Sequence, residues 1–92
     1  MSLTHVRLRV RGRVQGVGFR FAACEAAATC AVVGWVRNLP DGSVEIVAQG
    51  TADAVARMTA WAHQGPRYAS VDEVRVEPVE AVDDLEGFEI RR

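Results

Sequence analysis

The chain of 92 residues contains no lysine, and all eleven of its basic residues are Arg. A Walker-type phosphate loop sets a Lys against the phosphates, so that class is excluded. No apolar run approaches the ~20 residues of a membrane-spanning helix. The N-terminus lacks the charged, apolar and cleavage regions of a secretory signal. Neither a membrane role nor export is expected, and the chain reads as cytoplasmic. Cysteine occurs twice, as Cys24 and Cys30. On a helix, residues six apart point roughly 240° from one another, so these two cannot pair. The spacing is also wrong for a C-x-x-C motif. Two small, buried thiols in a reducing compartment are expected. His5 and His63 lack acidic companions at metal-ligand spacing, so no metal site and no cofactor are expected.

What is present is ordinary in amount and unusual in arrangement. The hydrophobic fraction is 49%, the charged fraction 25%, and the net charge −1. These values fit one soluble domain over residues 1–92 and are too neutral for a general nucleic-acid footprint. The charges are segregated, however. Residues 1–20 hold Arg7, Arg9, Arg11, Arg13 and Arg20 and no acid, whereas residues 71–90 hold eight acids and one Arg. The acidic run reads as a solvated face.

The patterning predicts the elements. Residues 6–11 alternate strictly and predict a half-buried strand with Val6, Leu8 and Val10 inward. Gly12 to Gly18 reads as a loop. Phe19 to about Ala31 predicts a helix with Ala23, Ala26, Ala27 and Cys30 on its packed side. Residues 32–39 and 43–48 flank Pro40-Asp41-Gly42 and predict a hairpin. Thr51 is placed to cap a second helix carrying Val55, Met58, Trp61 and Ala62, ended by Gly65-Pro66. Residues 71–79 predict another strand, and Phe88 and Ile90 a short edge strand. The order is βαββαβ plus a short C-terminal strand. It defines an α+β, ferredoxin-like fold: an antiparallel sheet with two helices on one face. Its central strands are expected to be the first strand and the one after the first helix. Fold alone assigns no function.

The informative stretch is Gly12-Arg13-Val14-Gln15-Gly16-Val17-Gly18-Phe19-Arg20. It leaves a strand, turns through glycines and enters a helix. Such a turn lets backbone N–H groups converge into a nest for an anion, and the helix N-terminus adds partial positive charge. Arg20 lies in the first helical turn, where a cation is unfavourable by about 0.3–1 kcal/mol. A bound anion offsets that cost, and Arg is suited to bidentate capture of phosphate oxygens. Alone, the glycines fit a ligand-free connection equally well. Asn38, at the end of the second strand, is by type a turn former. It reaches the nest only if strand register allows. Trp35, Trp61, Phe19 and Phe21 read as core or pocket wall.

Taken together, that loop and Gly34-Trp35-Val36-Arg37-Asn38-Leu39-Pro40-Asp41-Gly42-Ser43-Val44-Glu45 resemble the acylphosphatase family. Gly65-Pro66, Ala69, Val71, Val74 and Phe88-Glu89-Ile90 extend the likeness over nearly the whole chain. The resemblance implies a ferredoxin-like fold. It also implies metal-free hydrolysis of acyl phosphates, such as acetyl phosphate, carbamoyl phosphate or 1,3-bisphosphoglycerate, to carboxylate and inorganic phosphate. By the same resemblance, Arg20 and the backbone N–H groups of Val14, Gln15, Gly16, Val17, Gly18, Phe19 and Arg20 bind the phosphoryl group, and Asn38 positions water. One departure stands out: Thr29-Cys30-Ala31-Val32-Val33-Gly34 replaces a frequent Leu-Gly-Leu stretch, which should alter packing at the helix end.

The residues agree with this chemistry. Between Gly12 and Arg20 there is no Cys, Ser or His to act as a nucleophile, so water is expected to attack directly. An acyl phosphate releases a carboxylate of pKa about 4, which departs without a general acid. Two other classes share parts of the pattern. An RNA-recognition module has the same element order, but it stacks bases on strand aromatics, and residues 6–11 and 43–48 carry none. A phosphate-sensing domain would need the loop and Arg20 but not Asn38. No nucleic-acid partner is expected, and a monomer is. The chain starts with Met and ends just past the last strand, which suggests a free-standing protein rather than part of a larger carbamoyl-transfer protein.

Overall fold

A computed structural model of the chain describes residues 3–81 and 85–92. The elements run β1 (Thr4–Arg13), α1 (Phe19–Cys30), β2 (Val33–Asn38), β3 (Val44–Gly50), α2 (Ala52–Gln64), β4 (Ser70–Pro78) and β5 (Phe88–Arg91). They form one five-stranded sheet in the order β4-β1-β3-β2-β5. The expected element order is therefore the observed one. Asp83 and Asp84, from the acidic run, lie outside the described residues.

Two expectations about the sheet need correction. It is mixed: β1, β2, β3 and β4 pair antiparallel, but β5 runs parallel to β2. β4 and β5 occupy opposite edges, so no hairpin dictates the direction of β5. The strand between β1 and β2 is β3, so β2 is not the neighbour of β1. Residues 40–42 return the chain as a hairpin, and β3 pairs with β2 on one side and β1 on the other. Gly12 and Arg13 also belong to β1, opposite Val71 and Ser70 of β4, and not to the loop.

The alternation of β1 works as read. Val6, Leu8 and Val10 face the helices with Val44, Ile46 and Ala48 of β3 and Val36 of β2. The small-residue side of α1, formed by Ala23, Ala26, Ala27 and Cys30, lets that helix lie close to the sheet. From α2, Val55, Met58 and Ala62 fill the same core. Thr51 caps α2 as expected, its Oγ1 accepting from Ala54 N at 3.1 Å. Helix α1 ends differently. Ala31 takes the left-handed conformation at φ 63°, and its N–H and that of Val32 close on carbonyls of the last turn. Glycine ordinarily fills such a cap.

Candidate active site

The loop is built by where the apolar side chains must go. Val14 is buried in the core, and Phe19 is buried against Trp61, the rings 5.2 Å apart and tilted by 56°. Between these anchors the chain arches outward through Gly16 at φ 75° and Gly18 at φ 78°. A Cβ at either glycine would meet open space, so the left-handed backbone, not crowding, calls for glycine. Gly18 is the N-cap of α1, with no side chain capping that end and no acid in the first turn. Its N–H and those of Phe19, Arg20 and Phe21 have no acceptor within the helix. Arg20 stands beside them.

Asn38 arrives from the sheet. It pairs across to Val44, and Val44 pairs on its other side to Val10. Asn38 therefore sits level with the last inward residue of β1, two strand spacings or about 10 Å away, where the outgoing loop returns. A cavity of about 120 Å³ is lined by Val14, Gly16, Gly18, Phe19, Arg20, Phe21 and Asn38. The Oδ1 of Asn38 is buried and has no hydrogen-bond partner among the described residues.

Most of the residues expected from sequence thus meet in one place. Gln15 and Val17 do not line the cavity. Gln15 turns its amide toward the hairpin, and Val17 packs against the core. Phe21 is wall rather than core: it lines the cavity yet is 72% exposed. The turn beside Asn38 is held by Asp41, whose Oδ1 accepts from Ser43 Oγ at 2.5 Å and Ser43 N at 3.0 Å. Those bonds hold the Asp41 carboxyl below the usual carboxylate range, with Arg9 and Arg11 adding to the effect. Burial pushes the Cys24 thiol up, which favours its protonated form.

Sequence reading assigned no role to Glu45. Its carboxylate lies on the face of the sheet away from the helices and is almost fully buried. It accepts from Arg7 Nε at 2.6 Å, Arg37 Nε at 2.7 Å and Trp35 Nε1 at 3.3 Å. Burial alone would raise its pKa, but the bonds from Arg37, Arg7 and Trp35 outweigh that and hold it below the ordinary value. The signal in the sequence was an acid between Val44 and Ile46, with an excess of Arg on β1 opposite it.

Fold and site together define a small α+β domain in which a helix N-terminus, one Arg and one Asn border a single small cavity. The acylphosphatase family profile matches residues 6–90. An acylphosphatase of Trichormus variabilis is 49% identical over 91 residues, covering 99% of this chain and 89% of that protein. One from Thermococcus kodakarensis is 48% identical over 90 residues, covering 98% of each. The crystal structure of acylphosphatase from Bacillus subtilis superposes with a TM-score of 0.92 at 33% identity, covering 99% of this chain and 100% of that one. The chain belongs to the acylphosphatase family, and its activity is the hydrolysis of acyl phosphates.

Proposed function

We propose that residues 14–20 and Asn38 are the active site, and that water attacks the bound acyl phosphate directly, with neither a metal ion nor a phospho-enzyme. The observation that carries this reading is the shared cavity. The uncapped start of α1, Arg20 and the unpartnered Oδ1 of Asn38 all border it. At 120 Å³ it is well below the ~300–1,000 Å³ of sites that enclose drug-sized ligands. It suits a phosphoryl group and a water, with the acyl part outside beside Phe21.

The roles follow from the donors. Backbone N–H groups and the Arg20 guanidinium point positive charge at the equatorial phosphoryl oxygens, where charge spreads in the transition state. Asn38 Oδ1 accepts one hydrogen of a water and leaves its lone pair free toward phosphorus. The new P–O bond forms from that water. The bond to the acyl oxygen breaks, and the carboxylate leaves with the electron pair. The water's proton passes to a phosphoryl oxygen. Asn is too weak a base to take it, so the protein supplies position and electrostatics. Among the described residues no group of three or more His, Cys, Asp or Glu is arranged to hold a metal ion.

We also infer that the protein acts as a monomer in the cytoplasm without binding nucleic acid. The edge strand β4 carries Asp72, Glu73, Glu77 and Pro78, which discourage pairing with another chain. β1 and β3 carry no Phe, Tyr or Trp on which a base could stack. The two unpaired cysteines suit a reducing compartment. No described helix is long and apolar enough to cross a membrane.

Phosphate release from acetyl phosphate, with and without chelator, tests the mechanism. Arg20→Ala should lose turnover and inorganic-phosphate affinity together. Asn38→Ala should lose about 10²-fold or more in kcat while phosphate inhibition is kept. Full activity in Asn38→Ala removes the water-positioning role, and activity abolished by chelator removes the metal-free mechanism.

A further inference from the structure

The Gln15 side chain makes a link that the substrate-binding loop does not itself require. Its Nε2 donates to Leu39 O and to Ser43 O, both at 2.9 Å. These two carbonyls close the β2–β3 turn. Leu39 N donates to Ser43 O at 2.8 Å, and Gly42 N to Leu39 O at 3.1 Å. The Gln15 amide therefore uses the second lone pair of each oxygen, and both of its own hydrogens are spent. Leu39 directly follows Asn38. One side-chain nitrogen thus ties the loop facing the phosphoryl group to the turn that carries the water-holding Asn38, across 24 and 28 residues of sequence.

We propose that Gln15 is a positioning residue: its amide fixes the distance between the phosphoryl group in the loop and the water on Asn38, without touching substrate. The inference rests on the active-site reading above. β1 and β2 are separated by β3, so the sheet itself makes no direct hydrogen bond between the strands that lead to the two halves of the site. The loop arches through two left-handed glycines and gains little stiffness from its own backbone. A direct tie at its second residue supplies the missing constraint. A displacement near 1 Å between nucleophile and phosphorus is enough to cost about 10²-fold in rate.

Three variants and one double variant test this on acetyl phosphate, with inorganic phosphate as the binding probe. Gln15→Met keeps length and removes both donors. Its kcat is expected to fall about 10- to 10²-fold, with KM and phosphate inhibition within about threefold of wild type. Gln15→Glu adds a pH signature. As a carboxylic acid it donates one O–H to a carbonyl, and as a carboxylate it repels both. Its kcat relative to wild type is therefore expected to fall as pH rises through the carboxyl titration. Gln15→Met combined with Asn38→Ala should be no slower than Asn38→Ala alone, because Gln15 acts through Asn38. Wild-type kcat in Gln15→Met overturns the proposal. So does a loss of phosphate affinity that matches the loss of kcat, or additive losses in the double variant. A fully active Asn38→Ala instead overturns the active-site reading, which separates the two failures.

Discussion

Replacing Glu45 by Gln isolates the charge at the one buried carboxylate among the described residues. Gln keeps the volume and can still accept from Trp35, but it leaves Arg7 and Arg37 without their counter-ion. Breaking a fully buried ion pair from one side costs about 3–5 kcal/mol. Here the Arg7 and Arg37 side chains keep 30% and 42% exposure, against 4% for Glu45. Arg7 also retains Glu77 at 2.8 Å. Water and that second partner recover part of the cost, which brings the expected loss down to about 1–2 kcal/mol. At roughly 4–8 °C per kcal/mol for a domain of this size, Tm should drop by about 5–15 °C. The pH dependence fixes the cause. The folded-state pKa of Glu45 lies below its ordinary value, so its contribution is complete above the unfolded value of about 4.3. The contribution is lost as pH falls through the folded value. Urea unfolding at a series of pH values from 7 to 3 should show the gap between wild type and Glu45→Gln full at pH 7 and closing below about pH 4. A gap under about 0.3 kcal/mol at pH 7, or one that stays constant into acid, refutes the electrostatic account.

Two further outcomes follow from backbone geometry. A Cβ at Gly34 would lie 1.8 Å from Val47 O at a φ of 146°, so Gly34→Ala must push β2 off β3; a loss above about 3 kcal/mol, or failure to fold, is expected in urea unfolding. Ala31→Gly should instead stabilise the protein by about 0.5–1 kcal/mol with kcat unchanged, because it relieves a left-handed Ala at an exposed helix end; a lower Tm would refute that reading.

The Ala31 case shows what the sequence could and could not reveal. The departure from Leu-Gly-Leu was visible in the chain, and altered packing was the natural expectation. The structure adds an effect on backbone conformation, at a cap whose position depends on where the helix stops. Alternation in β1, the Pro40-Asp41-Gly42 turn and the Thr51 cap were legible because each is decided within a few residues. The order of strands was not. Whether β2 lies beside β1 or beyond β3 depends on long-range pairing, which local periodicity does not encode. The parallel direction of β5 escaped for the same reason.

The candidate site divides along the same line. Arg20 could be read locally, since a cation at a helix start with glycines before it conflicts with the helix dipole unless an anion answers it. Gln15 could not, because its meaning lies in two carbonyls 24 and 28 residues away. Asn38 stood between these cases, ambiguous by type and decided by register. The Arg-rich N-terminal segment resolves in the same way. Arg7 is spent on Glu45 and Glu77. Arg11 lies 3.9 Å from Glu73, and Arg9 lowers the Asp41 pKa from the turn side. Arg20 is the one that borders the cavity. A segment with five cations and no acid therefore places one of them at the cavity, while acids from the rest of the chain pair with Arg7 and Arg11.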